Sequence, residues 1–130
     1  MKALLDTHVF LWVVTEPERL RTDVLDRISD PATDLFLSAV SAWEIAIKYE
    51  LGRLTLTEPP EAFVPSRMRL SGAQELPISH ADALAAGALP RLHRDPFDRL
   101  LVAQARRRDF VLVTGDPLVA QYPVEVLAAT

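Results

Sequence analysis

The feature that most constrains the fold is a series of short apolar runs, each ending at a polar residue, with helix-like segments between them. The clearest runs are Ala3–Leu5 before Asp6, Leu35–Leu37 before Ser38, and Val111–Val113 before Thr114. Short apolar runs of this kind are typical of strands buried on both faces of a sheet. Strands that alternate with helices predict an α/β fold with a mostly parallel central sheet.

The segments between the runs predict the remaining elements. Helices are predicted over residues 7–15, Glu18–Ile28, Ser41–Leu51, Glu61–Leu70, Ser79–Leu89 and Pro96–Arg108, and further strands over Glu75–Ile78 and Val124–Leu127. Pro77 places the first of these two strands at a sheet edge, since proline cannot donate to a ladder. In the third helix, the periodicity predicts that Trp43 and Leu51 face inward.

Length and composition narrow the classes of protein. A chain of 130 residues predicts a single domain over residues 1–130. No apolar stretch approaches the ~20 residues of a membrane span or forms a secretory leader, so we expect a soluble, cytoplasmic protein without membrane contact. The absence of cysteine excludes disulfides, cysteine-bound zinc and thiol nucleophiles. The formal charge of −4 argues against a generic polyanion binder, but it allows nucleic acid to be contacted through a local basic rim.

Four acidic residues fall where strands end or where the next helix begins. They are Asp6, Glu44, Asp98 and Asp116. Ligands of open parallel sheets bind beyond the carboxyl ends of the strands, so these side chains are candidates for one site. Clustered carboxylates repel one another and raise each other's pKa values, which a fold tolerates if a cation binds there. Mg²⁺ or Mn²⁺ suits a site built only from hard oxygen ligands.

Helix capping is a competing explanation for most of these acids. The residues Ser41 and Glu44 have the spacing of a capping box, and Asp95 and Asp116 each precede a proline as an N-cap would. We interpret a further pair, Ser79 and Asp82, as a purely structural capping box. Asp6 differs because it follows a buried run, where an unpaired charge is costly.

The sequence resembles PIN-domain ribonucleases, and most of all the VapC toxins of type II toxin–antitoxin modules. The similarity lies in four segments that occur in order over residues 3–127: Leu4–His8, Ser38–Ile45, His93–Ala105 and Leu112–Asp116. The resemblance implies a three-layer αβα sandwich around a central sheet of four to five strands. It also implies an endoribonuclease that uses Mg²⁺, or Mn²⁺, and a water nucleophile, leaving 5′-phosphate and 3′-hydroxyl ends.

The resemblance also assigns roles to individual residues. It implies that Asp6 and Asp98 bind the metal directly, and that Glu44 and Asp116 bind it directly, through water, or only when a second ion is present. It implies that the Thr114 hydroxyl holds a neighbouring acid or water. Asp95 is either the N-cap of its helix or a contact of metal-bound water, and both interpretations stay open.

The basic and aromatic residues near the predicted site are less specific signals. Arg94, Arg99 and His93 flank the acids and are candidates for phosphate contacts, although packing beside the site also explains His93. The run Arg106–Arg108 suits the negative end of a helix and a solvated surface. We expect Trp43 and Phe97 to be core or partner-groove residues rather than platforms for nucleobases.

The expected partners follow from the resemblance. They are an RNA substrate, a second copy of the chain in a homodimer, and a VapB-like antitoxin that covers the cleft. Two alternatives stay open: a PIN-type nuclease of RNA processing outside a toxin system, and a non-catalytic α/β metal-binding signalling module. A receiver-like module needs an aspartate at the end of its third strand, and the segment Pro77–Ser79 has none.

Overall fold

The apolar runs form one sheet of five strands. In a computed structural model that describes all 130 residues, the strands are β1 (Lys2–Leu5), β2 (Asp34–Ser38), β3 (Gln74–Leu76), β4 (Val111–Thr114) and β5 (Val126–Ala128). Their order in the sheet is β3-β2-β1-β4-β5, and every neighbouring pair is parallel. The predicted α/β class and the strand number are therefore confirmed, and the sheet is parallel throughout.

Six helices cover the two faces of this sheet. They are α1 (Thr7–Thr15), α2 (Thr22–Ser29), α3 (Ala39–Glu50), α4 (Pro60–Ser71), α5 (His80–Ala88) and α6 (Pro96–Arg108). Alternate residues of β1 enter different apolar clusters, as the two-residue period of a strand requires. Ala3 and Leu5 pack with residues of α1, α2 and α4, whereas Leu4 packs with residues of α5 and α6. The result is the expected αβα sandwich.

Three local predictions were wrong. The helix predicted over Glu18–Ile28 is interrupted, since a short 3-10 helix over Pro17–Arg19 ends at Leu20, whose extended backbone carries a buried side chain into the core. Trp43 and Leu51 do not face inward, because each is 61% exposed. Helix α3 begins at Ala39, two residues before its predicted start.

The strand order places a topological switch point beside the central strand. From β1 the chain builds β2 and β3 on one side of the sheet, then crosses to β4 and β5 on the other. Ligands of doubly wound sheets bind at the carboxyl edge where the order reverses, here between β1 and β4. No helix of the chain has the length and apolar character needed to cross a membrane.

Candidate metal centre

The carboxyl edge at this switch point collects the four predicted acids. Asp6 follows β1 directly, and Asp116 lies two residues beyond β4, the strand hydrogen-bonded to β1. Glu44 projects from α3, which begins directly after β2, and Asp98 lies in the first turn of α6. The parallel sheet thus brings together residues from both ends of the chain.

Asp6 is buried and held by the neighbouring strand. Its Oδ2 accepts a hydrogen bond of 2.6 Å from the hydroxyl of Thr114, whose oxygen accepts one of 3.0 Å from the backbone N–H of Asp116. Asp6 occupies the N-cap position of α1, yet its side chain makes no capping bond. Burial raises the pKa of Asp6, and the charge of Glu44 raises it further, against the lowering effects of Thr114 and His8.

Glu44 is buried with only one of its oxygens paired. Its Oε2 accepts a hydrogen bond of 2.6 Å from Lys48 Nζ, one helical turn further on, whereas its Oε1 has no partner. The predicted capping box of Ser41 and Glu44 was wrong, because Ser38 caps α3 instead by accepting from the N–H of Val40. Ser41 lies inside the helix and accepts from Thr7, so the Glu44 carboxylate takes no part in capping.

His93 lies between the two remaining acids. Its Nε2 is 2.9 Å from Asp98 Oδ2 and 2.8 Å from Asp116 Oδ2. Its Nδ1 accepts from the backbone N–H of Asp95 at 3.1 Å, so a neutral imidazole here carries its hydrogen on Nε2 and donates toward the carboxylates. The backbone N–H of His93 donates to the Tyr122 hydroxyl at 2.9 Å, which fixes the loop.

The positive groups near the four acids do not balance the negative charge of those acids. Burial, together with the charges of Asp6, Asp95 and Glu44 and against the opposing effect of His93, raises the pKa of Asp98 to about 7. Burial alone would lower the pKa of His93, but its hydrogen bond with Asp116 and the nearby carboxylates outweigh burial and raise it. Both directions indicate that this site favours an additional positive charge.

The donor set fits a divalent cation. A buried carboxylate oxygen without a partner is costly and needs an explanation, and Glu44 Oε1 is such an atom. Ligand atoms of His93, Asp98 and Asp116 all lie within 4.8 Å of one another. Both oxygens of Asp116 already have partners within the protein. Its Oδ2 lies 2.8 Å from His93, and its Oδ1 accepts from the N–H of Leu118 at 2.9 Å. Carboxylate oxygens are the ligands preferred by Mg²⁺ and Mn²⁺.

Asp95 is the N-cap of α6. Its carboxylate accepts from the N–H of Phe97 at 2.8 Å, and Pro96 occupies the first helical position, as predicted. Its charge also contributes to the raised pKa of Asp98, so it lies near the cluster. The capping role is thus confirmed, and contact with metal-bound water stays a prediction.

The three candidates for phosphate contacts have different surroundings. Arg94 is exposed, whereas Arg99 donates to the carbonyls of Ala86 and Leu89 at the end of α5, both at 3.0 Å. Arg99 therefore has a structural role that the sequence did not predict. His93 is engaged with Asp98 and Asp116. No sequence motif predicted that His93 would lie between these two acids, because its position depends on the path of the loop before α6.

Comparison with known proteins gives matches along most of the chain. A family model described as PIN domain matches residues 3–124. Ribonuclease VapC22 of Mycobacterium tuberculosis is 33% identical over 114 residues, which cover 87% of this chain and 85% of that protein. Ribonuclease VapC16 of the same organism is 43% identical over 67 residues, and the matched segment spans about half of each chain, 48%.

Solved structures share the architecture at low identity. VapBC2 from Rickettsia felis, bound to a promoter DNA fragment, matches over 100% of both chains with a TM-score of 0.75 and 15% identity. VapBC-1 from nontypeable Haemophilus influenzae matches over 98% of both chains with a TM-score of 0.68 and 18% identity. At these identities the likeness shows the fold alone.

Proposed function

The chain belongs to the PIN-domain family and, within it, to the VapC-type proteins, and on that premise we propose that it is a metal-dependent endoribonuclease. The proposed biological role is that of the toxin in a type II toxin–antitoxin pair. Two relatives named as VapC ribonucleases support the activity, and solved toxin–antitoxin complexes of the same fold support the role.

The observation that carries the proposal is the unbalanced charge at the carboxyl edge. Glu44 is 3% exposed, and its Oε1 has no hydrogen-bond partner, while burial and neighbouring charge raise the pKa values of Asp6 and Asp98. Buried carboxylates in a stable protein are normally paired or bind metal. The same edge is where a ligand of a doubly wound sheet binds.

Asp6, Glu44, Asp98 and Asp116 would hold the ion, with His93 between the last two. Mg²⁺, or Mn²⁺, would offset the charge of a phosphodiester and make a water molecule a stronger nucleophile. Lys48 fixes one oxygen of Glu44, and Thr114 fixes one oxygen of Asp6, so the ligands are held in place before metal binds. Preorganised ligands of this kind lower the cost of assembling the site.

Water is the proposed nucleophile, as the resemblance to PIN-domain ribonucleases implies. The chain has no cysteine, and the residues around the acids include no serine activated by a histidine. Attack by water in line with the leaving 3′ oxygen produces a 5′-phosphate and a 3′-hydroxyl. Attack by the 2′-hydroxyl of RNA would produce a cyclic phosphate instead, so the product ends distinguish the two routes.

The proposed partners follow from the same family. We propose that residues 1–130 fold as one domain, form a homodimer in the cytoplasm and are inhibited by a VapB-like antitoxin. An antitoxin-like reading frame directly upstream would favour this role over a PIN-type nuclease of RNA processing. Copurification of the two proteins from a shared operon would test the pairing directly.

The decisive experiment is cleavage of structured RNA by the purified protein. We expect cleavage with Mg²⁺ or Mn²⁺, none with EDTA, and a loss of at least ~100-fold in Asp6→Asn and Asp98→Asn, since even partners of metal ligands cost ~10–100-fold. Asp26→Asn is a matched control, because Asp26 is exposed on α2 and makes no side-chain bond. Cleavage that persists in both site variants would refute the site, and cyclic phosphate ends would refute the water mechanism.

A further inference from the structure

Trp43 is an exposed tryptophan that directly precedes Glu44 of the candidate metal centre. It is 61% exposed, although its neighbours Glu44 and Ile45 are buried at 3% and 0%. The other large exposed hydrophobic side chains are aliphatic: Leu51, Ile78, Leu70, Leu84, Leu92 and Leu118. An indole ring has a large apolar area, and leaving it in water is unfavourable unless a ligand covers it.

A second aromatic residue holds the indole in position. The rings of Trp43 and Phe97 have centroids 5.4 Å apart and planes at 77°, the edge-to-face arrangement. Phe97 directly precedes Asp98 on α6, as Trp43 directly precedes Glu44 on α3. The aromatic pair therefore connects the two helices that supply these acids, and each aromatic residue is next in sequence to one of the acids.

We propose that Trp43 is a nucleobase-stacking subsite for single-stranded RNA, next to the phosphate that is cleaved. The subsite rests on the proposed function, because that function brings a phosphodiester to Glu44 and Asp98. A strand bound there places a neighbouring base within reach of the adjacent ring. Single-stranded RNA is commonly bound by stacking of its bases on aromatic side chains, with little dependence on sequence.

A protein partner is a weaker explanation for this ring. The apolar groove of about 440 Å³ between α3, α4 and the β3 edge is lined by residues such as Ala42, Val64 and Met68, and Trp43 is not among them. Trp43 instead contacts Phe97 of α6, the residue before Asp98. An energetically important protein contact normally lies in the middle of a surrounding interface, whereas Trp43 is next in sequence to Glu44 of the site.

The kinetic test compares Trp43→Ala with an exposed control. For a short single-stranded RNA, we expect Trp43→Ala to raise KM by ~5- to 100-fold, the size of one base–aromatic stack, with kcat nearly unchanged. Trp43→Phe should keep part of the affinity because it keeps an aromatic face. Leu70→Ala, at an 80% exposed position on α4, should leave KM unchanged. Equal melting temperatures would show that the variants are folded.

A binding test removes catalysis from the question. The chain has only two tryptophans, Trp12 and Trp43, so Trp12→Phe with Asp98→Asn leaves Trp43 as the only indole in a protein that we expect not to cleave. RNA should quench its fluorescence, whereas an oligonucleotide of abasic sites should not. The matched control, Trp43→Phe with Asp98→Asn, retains Trp12, which lies near Gly115, and should show clearly less quenching; equal quenching in the two proteins would overturn the subsite.

The outcomes separate the subsite from the function on which it rests. Cleavage by the wild-type protein with an unchanged KM in Trp43→Ala overturns the subsite alone. Loss of dimer or antitoxin binding in that variant, without a change in KM, assigns Trp43 to a protein interface and also overturns the proposal. A wild-type protein that cleaves no RNA overturns the proposed function and the subsite together.

Discussion

Two regions of the molecule bury carboxylates, and their surroundings shift the pKa values of those carboxylates in opposite directions. Asp82 on α5 is fully buried, and its oxygens accept hydrogen bonds from Arg108, Arg107, Gln104 and the backbone N–H of Ser79. Burial by itself raises the pKa of Asp82, but the hydrogen bonds from Arg108 and its other partners outweigh burial and hold that pKa far below its usual range. We call these five residues the Asp82 cluster.

The candidate metal centre has the reverse balance. Asp6 is almost as buried as Asp82, yet its pKa is raised, and so is the pKa of Asp98. Glu44 is buried to a similar degree. Lys48 neutralises only part of the charge, and Glu44 Oε1 remains unpaired. The Asp82 cluster therefore supplies its own cations and joins α5 to α6, whereas Lys48 and His93 leave the candidate metal centre with an excess of carboxylates, which we propose a bound cation would balance. Asp82 is therefore a structural carboxylate, whereas Asp6, Glu44 and Asp98 are candidates for binding a metal.

The largest expected effect is that two Asp→Asn substitutions change the free energy of unfolding in opposite directions. Asp82→Asn should lower the free energy of unfolding by roughly 2–3 kcal/mol, less than for a fully buried pair because both arginines are partly exposed. Asp98→Asn should raise the free energy of unfolding of the metal-free protein, because it removes one of several repelling charges. Urea unfolding in EDTA at pH 7 measures both. A loss of similar size in the two variants would contradict the comparison.

The next largest effect is stabilisation by metal. A divalent ion that binds only the folded state at 100 times its Kd adds about 2.7 kcal/mol to the free energy of unfolding. The wild-type protein and Asp82→Asn should both gain stability in Mg²⁺ or Mn²⁺, since the metal centre is intact in each. Asp98→Asn should gain much less. Thermal melting with increasing metal checks this, and an equal gain in all three proteins would indicate nonspecific binding.

The effect that is smallest per step of the measurement is the response of the metal-free protein to pH, at most ~1.4 kcal/mol per pH unit for one titrating group. The folded pKa of Asp98 is about 7, above its unfolded value, so its stabilising contribution is present at low pH and lost as pH rises toward 7. The pKa of Asp82 is lowered, so its contribution is present above the unfolded value of ~3.9 and lost as pH falls below it.

Each substitution should remove one part of that pH response. Urea unfolding in EDTA between pH 3 and 8 should show a smaller decline from pH 4 to 7 in Asp98→Asn. It should show a smaller loss below pH 4 in Asp82→Asn. Unchanged profiles in both variants would mean that other acids control the pH dependence of folding.

Local patterns predicted most of the elements and several of the contacts. The apolar runs identified the strands, and proline at the first helical position identified Asp95 as the cap of α6. Ser79 and Asp82 form the predicted capping box, with both reciprocal hydrogen bonds present. These predictions succeeded because strand periodicity and helix caps depend on residues a few positions apart.

The predictions that failed depended on neighbours distant in sequence. Periodicity placed Trp43 inside, but it lies at the surface, where it contacts Phe97 of α6 edge to face. Arg107 and Arg108 were predicted to be solvated, yet both bind Asp82 on another helix. A helical period shows which residues share a face, but not what another element brings to that face.

The sequence by itself determined that strands and helices alternate, and that a parallel sheet collects acids at its carboxyl edge. Only the tertiary structure decided which acids are neutralised: Thr114 meets Asp6 across 108 positions, Arg108 meets Asp82 across 26, and no partner reaches Glu44 Oε1. The reason is physical. Hydrophobic period and capping act within a few residues, whereas the charge balance of a buried group depends on every element that packs against it.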